Sequence, residues 1–564
     1  MGAKDLMQLF TLLVLLIGLT KPLGIYLDQV FTGKTHILLG LISKLENWIY
    51  QFAKIDKKEE HVWDKYAREL LVFSGVTCLL TYASLRLQSY LPLNPQLLGA
   101  MSPDLAMNAT YGYNTNTSWQ SFTSENTLSY FSQIVPLLFQ FFMSPSIAMV
   151  AAVAVIRGFS RKESKTIGNF WIDLIRCNLY VLMPISLLFA IFLISQGVIQ
   201  NFLPYQKIVT LEGGTQWIAG GPAAAQVAMK LFGTNGGGFF NANSAHPYEN
   251  PTALCNFVQM LFMLLLPSAF VYYLGLQFKN RSHARSVWVA MGILFVIGVL
   301  LCSHYEYLGN PVLKKLGVSS AHNMEGKEVR FGIFNSALFA NIATATGCGA
   351  INAMLDSFTP LGGSVLLLNM KLGEIIFGGA GSGIYGMLTY ILLTLFISGL
   401  MIGRTPEYLG KKIGVQEMKY TMLCIIVPPA FILGLGAVAS VVFIARSAIG
   451  NPGFHGFTEI IYTYTSAVSN NGSSFAGLST NSPYWNFTLA LGMFFGRYFT
   501  MIPMLAVAGC FCEKRTHPMS EGSFSAGGPM FVILLIAVIF IVGALTYFPV
   551  LALGPIAEHF QMLK

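Results

Sequence analysis

Four short runs of glycine, asparagine, threonine and serine carry the clearest chemistry in this chain. They are Thr115-Asn116-Thr117, Thr234-Asn235-Gly236-Gly237-Gly238, Thr346-Gly347-Cys348-Gly349 and Ser469-Asn470-Asn471-Gly472. With Asn116, Asn235, Gly347 and Asn471 as markers, they recur at spacings of 119, 112 and 124 residues. What they offer is neutral oxygen: hydroxyls, amides and backbone carbonyls that glycine lets turn inward. Such oxygens can replace the hydration shell of an ion. No ring of four carboxylates emerges, which disfavours a calcium-type filter. Neutral donors suit a large, weakly hydrated monovalent cation, and potassium is the first choice. The contiguous TVGYG of potassium channels is absent, so a single dominant site is expected rather than a long multi-ion filter.

The elements that must position these runs repeat with them. Each run follows a moderately apolar stretch too short to span a bilayer, such as 223–232 or 334–345, and precedes a full span. The last three are followed by a proline at a similar offset: Pro247, Pro360 and Pro483. The unit is therefore span, half-helix, polar loop, span, and a repeat at near-constant period signals an architecture built of copies. Four units around an axis make a pore. A half-helix returning as irregular backbone is tolerated at membrane depth only where it lines a polar cavity. For any one run an ordinary external turn is the plain alternative; four at near-equal spacing on one face argue against it.

Composition supports the membrane reading. Of 564 residues, 54% are apolar and 10% charged, against roughly 25% charged in soluble domains. With a mean hydropathy of +0.59, this excludes a secreted, nucleic-acid-binding or cytosolic enzyme. Candidate spans fall at 6–27, 66–90, 127–156, 172–198, 252–276, 286–305, 364–403, 419–447, 484–511 and 528–550, ten in all. Loops 31–68, 157–165, 279–285, 404–419 and 514–515 hold 20 Lys and Arg. The alternate loops hold five, Lys207, Lys314, Lys315, Lys327 and Arg330. That bias puts the first set in the cytoplasm and both termini outside.

The 364–403 segment is too long for one simple helix and centres on Gly378, Gly379, Ala380, Gly381, Ser382 and Gly383. Each interior glycine costs a helix about 1 kcal/mol relative to alanine, so a broken helix with a flexible gate loop beneath the third run is expected. Gly381 to Gly386 also spells GxGxxG, but no βαβ context surrounds it, so a dinucleotide site is rejected. Arg497 lies inside a span, where a charge is costly and functional by default. Together with Arg404, at the end of the broken helix, it is expected to raise an electrostatic barrier below the filter. Snorkelling, or an ion pair with Glu374 or Glu407, is the plain alternative.

Longer motifs resemble one family. Thr234–Thr252 (TNGGGFFNANSAHPYENPT), Asn369–Met387 (NMKLGEIIFGGAGSGIYGM), Ile402–Lys412 (IGRTPEYLGKK), Asn471–Leu478 (NGSSFAGL), Gly496–Pro503 (GRYFTMIP) and Leu551–Glu558 (LALGPIAE) are similar to the channel-like, potassium-binding A subunit of the Kdp potassium-transporting ATPases. The resemblance covers essentially the whole chain. It implies an all-α polytopic membrane protein with four pseudo-symmetric M1-P-M2 repeats of the potassium-transporter superfamily and one extra helix at each end. On this chain the segments are 1–35, 36–165, 166–285, 286–412, 413–516 and 517–564. The resemblance also implies a filter made by Asn116 and Thr117, Thr234, Asn235 and Gly236, Gly347, Cys348 and Gly349, and Asn471 and Gly472, with Gln120 at its mouth. Cys348 would then act through its carbonyl; a plain buried cysteine is the alternative. Where the family often has serine, this chain has Gly347, which matters only if that position donates a hydroxyl.

The resemblance further implies a receptor in the bacterial inner membrane, surrounded by lipid, that feeds a P-type ATPase subunit and works with two small accessory subunits. No nucleotide machinery is expected in this chain: Gly33-Lys34-Thr35 lacks the leading glycine of a P-loop, with Asp28 in its place. The nine histidines are dispersed without metal-ligand spacing, so no metal other than potassium and no catalytic residue is expected. The rival reading is a self-sufficient channel or a potassium transporter driven by the membrane potential.

Overall fold

The computed structural model describes residues 1–34, 40–318, 322–517 and 525–564. Thr35, the segment boundary expected at 35–36, and residues 518–524 of the final segment lie outside the described residues.

Among the described residues ten helices are long and apolar enough to cross a membrane. Eight of them form four copies of one unit. In the first, Trp63–Arg86 and Tyr130–Ser160 flank a pore helix, Pro103–Asn114. In the second, Phe170–Ser195 and Ala253–Gln277 flank Ala223–Phe232. In the third, Arg281–Leu308 precedes Gly332–Thr346, and the inner helix is split into Pro360–Lys371 and Ser382–Met401. In the fourth, Val415–Val441 and Pro483–Glu513 flank Phe454–Ser469. Ala3–Thr32 packs on the second inner helix, and Pro529–Leu551 follows the fourth repeat and continues into Ala557–Leu563. The protein is thus an all-α polytopic membrane protein with four M1-P-M2 repeats and one extra helix at each end.

The pore helices have 12, 10, 15 and 16 residues. At about 1.5 Å per residue they are roughly 15–24 Å long, too short to cross. Pro360 and Pro483 begin their inner helices, where a missing N–H costs nothing. The second repeat departs from the expected pattern. Pro247 lies in the loop, and the inner helix starts at Ala253 behind Thr252, whose hydroxyl accepts from Cys255 N at 3.0 Å. Tyr307 donates to Asp5 at 2.8 Å, and Glu558 meets His455 at the start of the fourth pore helix. Both termini therefore lie on the face where the pore helices begin.

On the opposite face a hairpin pairs Glu407–Tyr408 with Lys411–Lys412. It carries the buried ammonium of Lys411 to the carbonyls of Phe159 at 2.9 Å, Phe511 at 2.8 Å, and Arg161. These belong to the carboxyl ends of the first and fourth inner helices, where a cation offsets the helix dipole.

Candidate cation site at the pore-helix ends

Each pore helix ends in the same local device. Asn116, Thr234, Gly347 and Asn470, one or two residues past the helix, take left-handed conformations, with φ of 68°, 51°, 67° and 62°. This turns the chain sharply at the carboxyl end of each helix, the negative end of its dipole. The equivalence also sets the register: Thr117, Asn235, Cys348 and Asn471 follow the turn in each repeat. Asn116 is therefore the counterpart of Thr234, one position off the pairing with Asn235 that the sequence spacing suggested.

The four turns meet backbone to backbone. A Cβ on Gly472 would lie 1.9 Å from Thr117 O. One on Gly349 would lie 2.6 Å from Asn471 O, and one on Gly236 2.3 Å from Gly349 N. Repeats one and four, four and three, and three and two thus approach more closely than any side chain permits. The structure brings Thr117, Gly236, Gly349, Asn471 and Gly472 into one cluster, and Thr117, Thr234, Asn235, Cys348 and Asn471 are all buried.

Side-chain amides lock the cluster. Asn116 donates to Thr234 O at 3.0 Å, Asn470 to Thr117 Oγ1 at 2.9 Å, and Asn471 to Ala343 O at 3.1 Å. Asn235 donates to Phe141 O at 3.2 Å. That carbonyl lacks its helical partner because Pro145, four residues on, has no N–H. Cys348 contributes only a weak thiol contact to Lys230 O at 3.5 Å. Gln120 donates to Gly238 O at 2.9 Å and to the Tyr113 hydroxyl at 2.7 Å, bridging the first two repeats.

The break in the third inner helix lies directly beneath. Its residues 374–381 are buried rather than loose, and two bonds tie it to the turns above. Gly379 N donates to Thr346 O at 2.7 Å, and Ala380 N donates to Thr234 Oγ1 at 2.9 Å. Gly378 packs against Glu374 O and Gly383 against Gly378 O, while Gly381 abuts Ala148 of the first inner helix. Ser382 lines the adjoining cavity of about 110 Å³, together with Asn116, Gly347, Lys371, Glu374 and Arg497.

Arg497 is buried and donates to Ser144 O at 2.8 Å, with no carboxylate within ion-pair distance among the described residues. Arg404 goes elsewhere. It follows the last turn of Ser382–Met401, where Gly403 turns the chain outward, and it is exposed and does not line the cavity. Gly347 has no spare room: a Cβ there would lie 2.3 Å from Glu374 Oε2.

Several residues of this site were not singled out from sequence. Ser144 Oγ donates to Asn116 Oδ1 at 2.9 Å and accepts from Asn235 at 3.2 Å, so one residue ties two turns to Arg497. Its signal was a Ser-Pro pair inside an apolar run. Lys230, inside the second pore helix and missing from the loop count, is fully buried against Glu249 at 2.5 Å, with Asn243 and Ser244 also accepting. Lys327 pairs with Glu306 at 2.7 Å, both fully buried. These pairs brace the loops behind the second and third turns.

Four M1-P-M2 units with pore-helix ends converging on neutral oxygens define a polytopic transport protein built on the potassium-channel plan. The same fold occurs in the crystal structure of the potassium transporter TrkH from Vibrio parahaemolyticus, at TM-score 0.50 and 15% identity over 87% of this chain and 96% of that one. The chain belongs to the KdpA family, potassium-transporting ATPase A subunit, whose model matches residues 10–560. It is 50% identical to the potassium-transporting ATPase potassium-binding subunit of Nitratidesulfovibrio vulgaris strain DP4, over 100% of this chain and 99% of the relative. It is 51% identical to the subunit of that name in Methylobacterium nodulans, over 96% and 95%.

Proposed function

We propose that the four turns form a selective potassium filter, and that this chain receives the ion there and passes it to a P-type ATPase partner. The observation that carries the reading is the convergence of four left-handed turns at four pore-helix carboxyl ends. Neutral carbonyls, held by a buried amide network, suit a weakly hydrated monovalent cation better than a divalent one. The filter residues are Asn116, Thr117, Thr234, Asn235, Gly236, Gly347, Cys348, Gly349, Asn471 and Gly472, with Gln120 at the mouth. The segment 378–383 obstructs the straight path, and Arg497 opposes a cation in the cavity below. Arg404 has no part in this barrier.

A filter closed from beneath by hydrogen-bonded chain fits a receptor for a pump better than an open channel. The name borne by the relatives supplies the pump: a potassium-transporting ATPase, to which we add two small accessory subunits. The complex lies in the bacterial inner membrane, with the filter and both termini outside. The repeats divide near residues 166, 286 and 413.

Potassium-stimulated ATP hydrolysis by the chain purified with its membrane partners tests the reading. The expected result is stimulation by potassium and much less by sodium. Potassium flux through the chain alone, with no ATPase in attendance, would overturn it in favour of a channel.

A further inference from the structure

Outside the filter, a second set of ligating groups comes together on the face where the pore helices begin. His455 opens the fourth pore helix, Glu459 lies one turn further on, and Asp356 comes from the segment behind the third turn. One atom from each lies within 4.8 Å of the others. His455 Nε2 is 3.1 Å from Asp356 Oδ1 and 4.0 Å from Glu459 Oε1. Glu459 is fully buried, and Asp356 and His455 are partly so.

The imidazole is oriented by its other nitrogen. Nδ1 lies 2.8 Å from Glu558 Oε1, near the chain's carboxyl end. Metal-ligating histidines almost always give that second N–H to a carboxylate or carbonyl, which fixes the ring and aims the remaining lone pair. Here that remaining nitrogen, Nε2, lies beside two carboxylates and is within hydrogen-bond distance of Asp356 Oδ1. Glu459 Oε2 is held by Gly450 N at 3.3 Å, and Asn451 bonds both Glu459 Oε1 and Asp356 Oδ2. Gly477, behind the fourth turn, leaves the space open: a Cβ there would lie 2.4 Å from Glu459 Oε1 and 2.8 Å from Asp356 Oδ2.

Charge points the same way. Among the described residues no lysine or arginine pairs with Asp356, Glu459 or Glu558, so three carboxylates face one imidazole. We propose that Asp356, His455 and Glu459 bind a divalent transition cation, with Glu558 positioning the imidazole. One nitrogen and two carboxylate oxygens are a donor set for zinc or manganese. Bonds of 2.0–2.2 Å at tetrahedral angles place ligand atoms about 3.4 Å apart. The 3.1 Å edge is near that value, and the 4.0 Å edge is about half an ångström longer. The third edge, between the two carboxylates, is at most 4.8 Å, so the two acidic side chains would close on the ion. The ion would join the segment behind the third turn to the pore helix that leads into Asn470 and Asn471.

The test uses the full chain with its membrane partners, stripped by a chelator and desalted after adding zinc chloride alone. One equivalent of zinc should be retained. Asp356→Asn and His455→Gln should each weaken binding at least tenfold, and Glu558→Gln about tenfold. Manganese on the unmutated protein should show a single imidazole-nitrogen coupling by electron spin-echo spectroscopy, a reading independent of any variant's folding. No retained zinc, zinc retained equally by both ligand variants, or manganese without nitrogen coupling would each overturn the site. The cluster would then be an ion-pair clamp closed by a protonated histidine.

Discussion

Ala380 N donates to the hydroxyl of Thr234 at 2.9 Å, so the interruption in the third inner helix is bonded to the filter turn of the second repeat. On the proposed function, the turn that would receive the ion and the segment that would obstruct its path are thereby one mechanical piece. Thr234→Val removes the acceptor and leaves a buried N–H unpaired, at a cost of about 1–3 kcal/mol. Passive potassium leak through the reconstituted complex should rise, and Thr234→Ser should restore the tight state. Equal leak in all three proteins would detach the segment from the gating role.

Arg497 and Arg404 separate the barrier from the surface. Arg497→Gln should increase passive potassium leak, because it removes the buried cation from the cavity under the filter. Arg404→Gln should leave leak unchanged, because that side chain is exposed outside the cavity. Potassium-loaded vesicles report both.

Gly472 and Gly347 should differ in severity. At Gly472, φ is 93° and an added methyl meets the backbone oxygen of Thr117, which cannot swing away. At Gly347, where φ is 67°, it meets the end of the Glu374 side chain rather than backbone. Gly472→Ala should raise the potassium concentration for half-maximal ATPase stimulation by a hundredfold or more, equivalent to about 2.8 kcal/mol. Gly347→Ser should raise it less than tenfold. The reverse order would argue that Glu374, rather than the backbone contact, governs affinity.

Lys230 and Glu249 are a buried pair, so removing one partner strands a charge. Lys230→Met should cost about 3–5 kcal/mol in stability, and Lys230→Met with Glu249→Leu should recover much of it. Thermal melting of the purified complex would show the non-additivity directly.

Glu60, on the face opposite the filter, sets a pH window. The hydrogen bond from Arg161 holds its carboxyl at about 2, below the ordinary 4.5, despite partial burial; Thr166 assists. A depressed carboxyl stabilises the fold above its unfolded value and loses that contribution as pH falls from about 4.5 towards 2. With Glu60 exposed and Arg161 partly so, solvent screening limits it to at most about 1 kcal/mol. The difference in melting temperature between the unmutated protein and Glu60→Gln should be present at pH 6 and shrink steadily below pH 4.5.

Much of the fold was legible because hydropathy is local. Nine of the ten expected spans each match one continuous helical stretch, six of them within four residues at both ends; the other, 364–403, covers the two halves of the split helix, and 223–232 has its expected bounds. The split in the third inner helix followed from its glycines. The register of the first turn was not legible: Asn116 and Asn235 share a side chain but not a place in the turn, and only φ distinguishes them. Arg404, at a helix end, was grouped with Arg497 in one barrier because burial is not written in a residue's neighbours along the chain.

Local periodicity, composition and spacing were enough to determine a membrane protein of four copies, each with a short helix and a neutral oxygen-rich turn. A hydrophobic span and a glycine-rich interruption each need only their own residues to form. What lies against what was decided by the tertiary structure: Ser144 under two turns, Glu374 against Gly347, Lys230 against Glu249, and Asp356 beside a histidine about a hundred residues away. Such contacts depend on how separate helices pack, and buried charges find partners wherever packing leaves them no water.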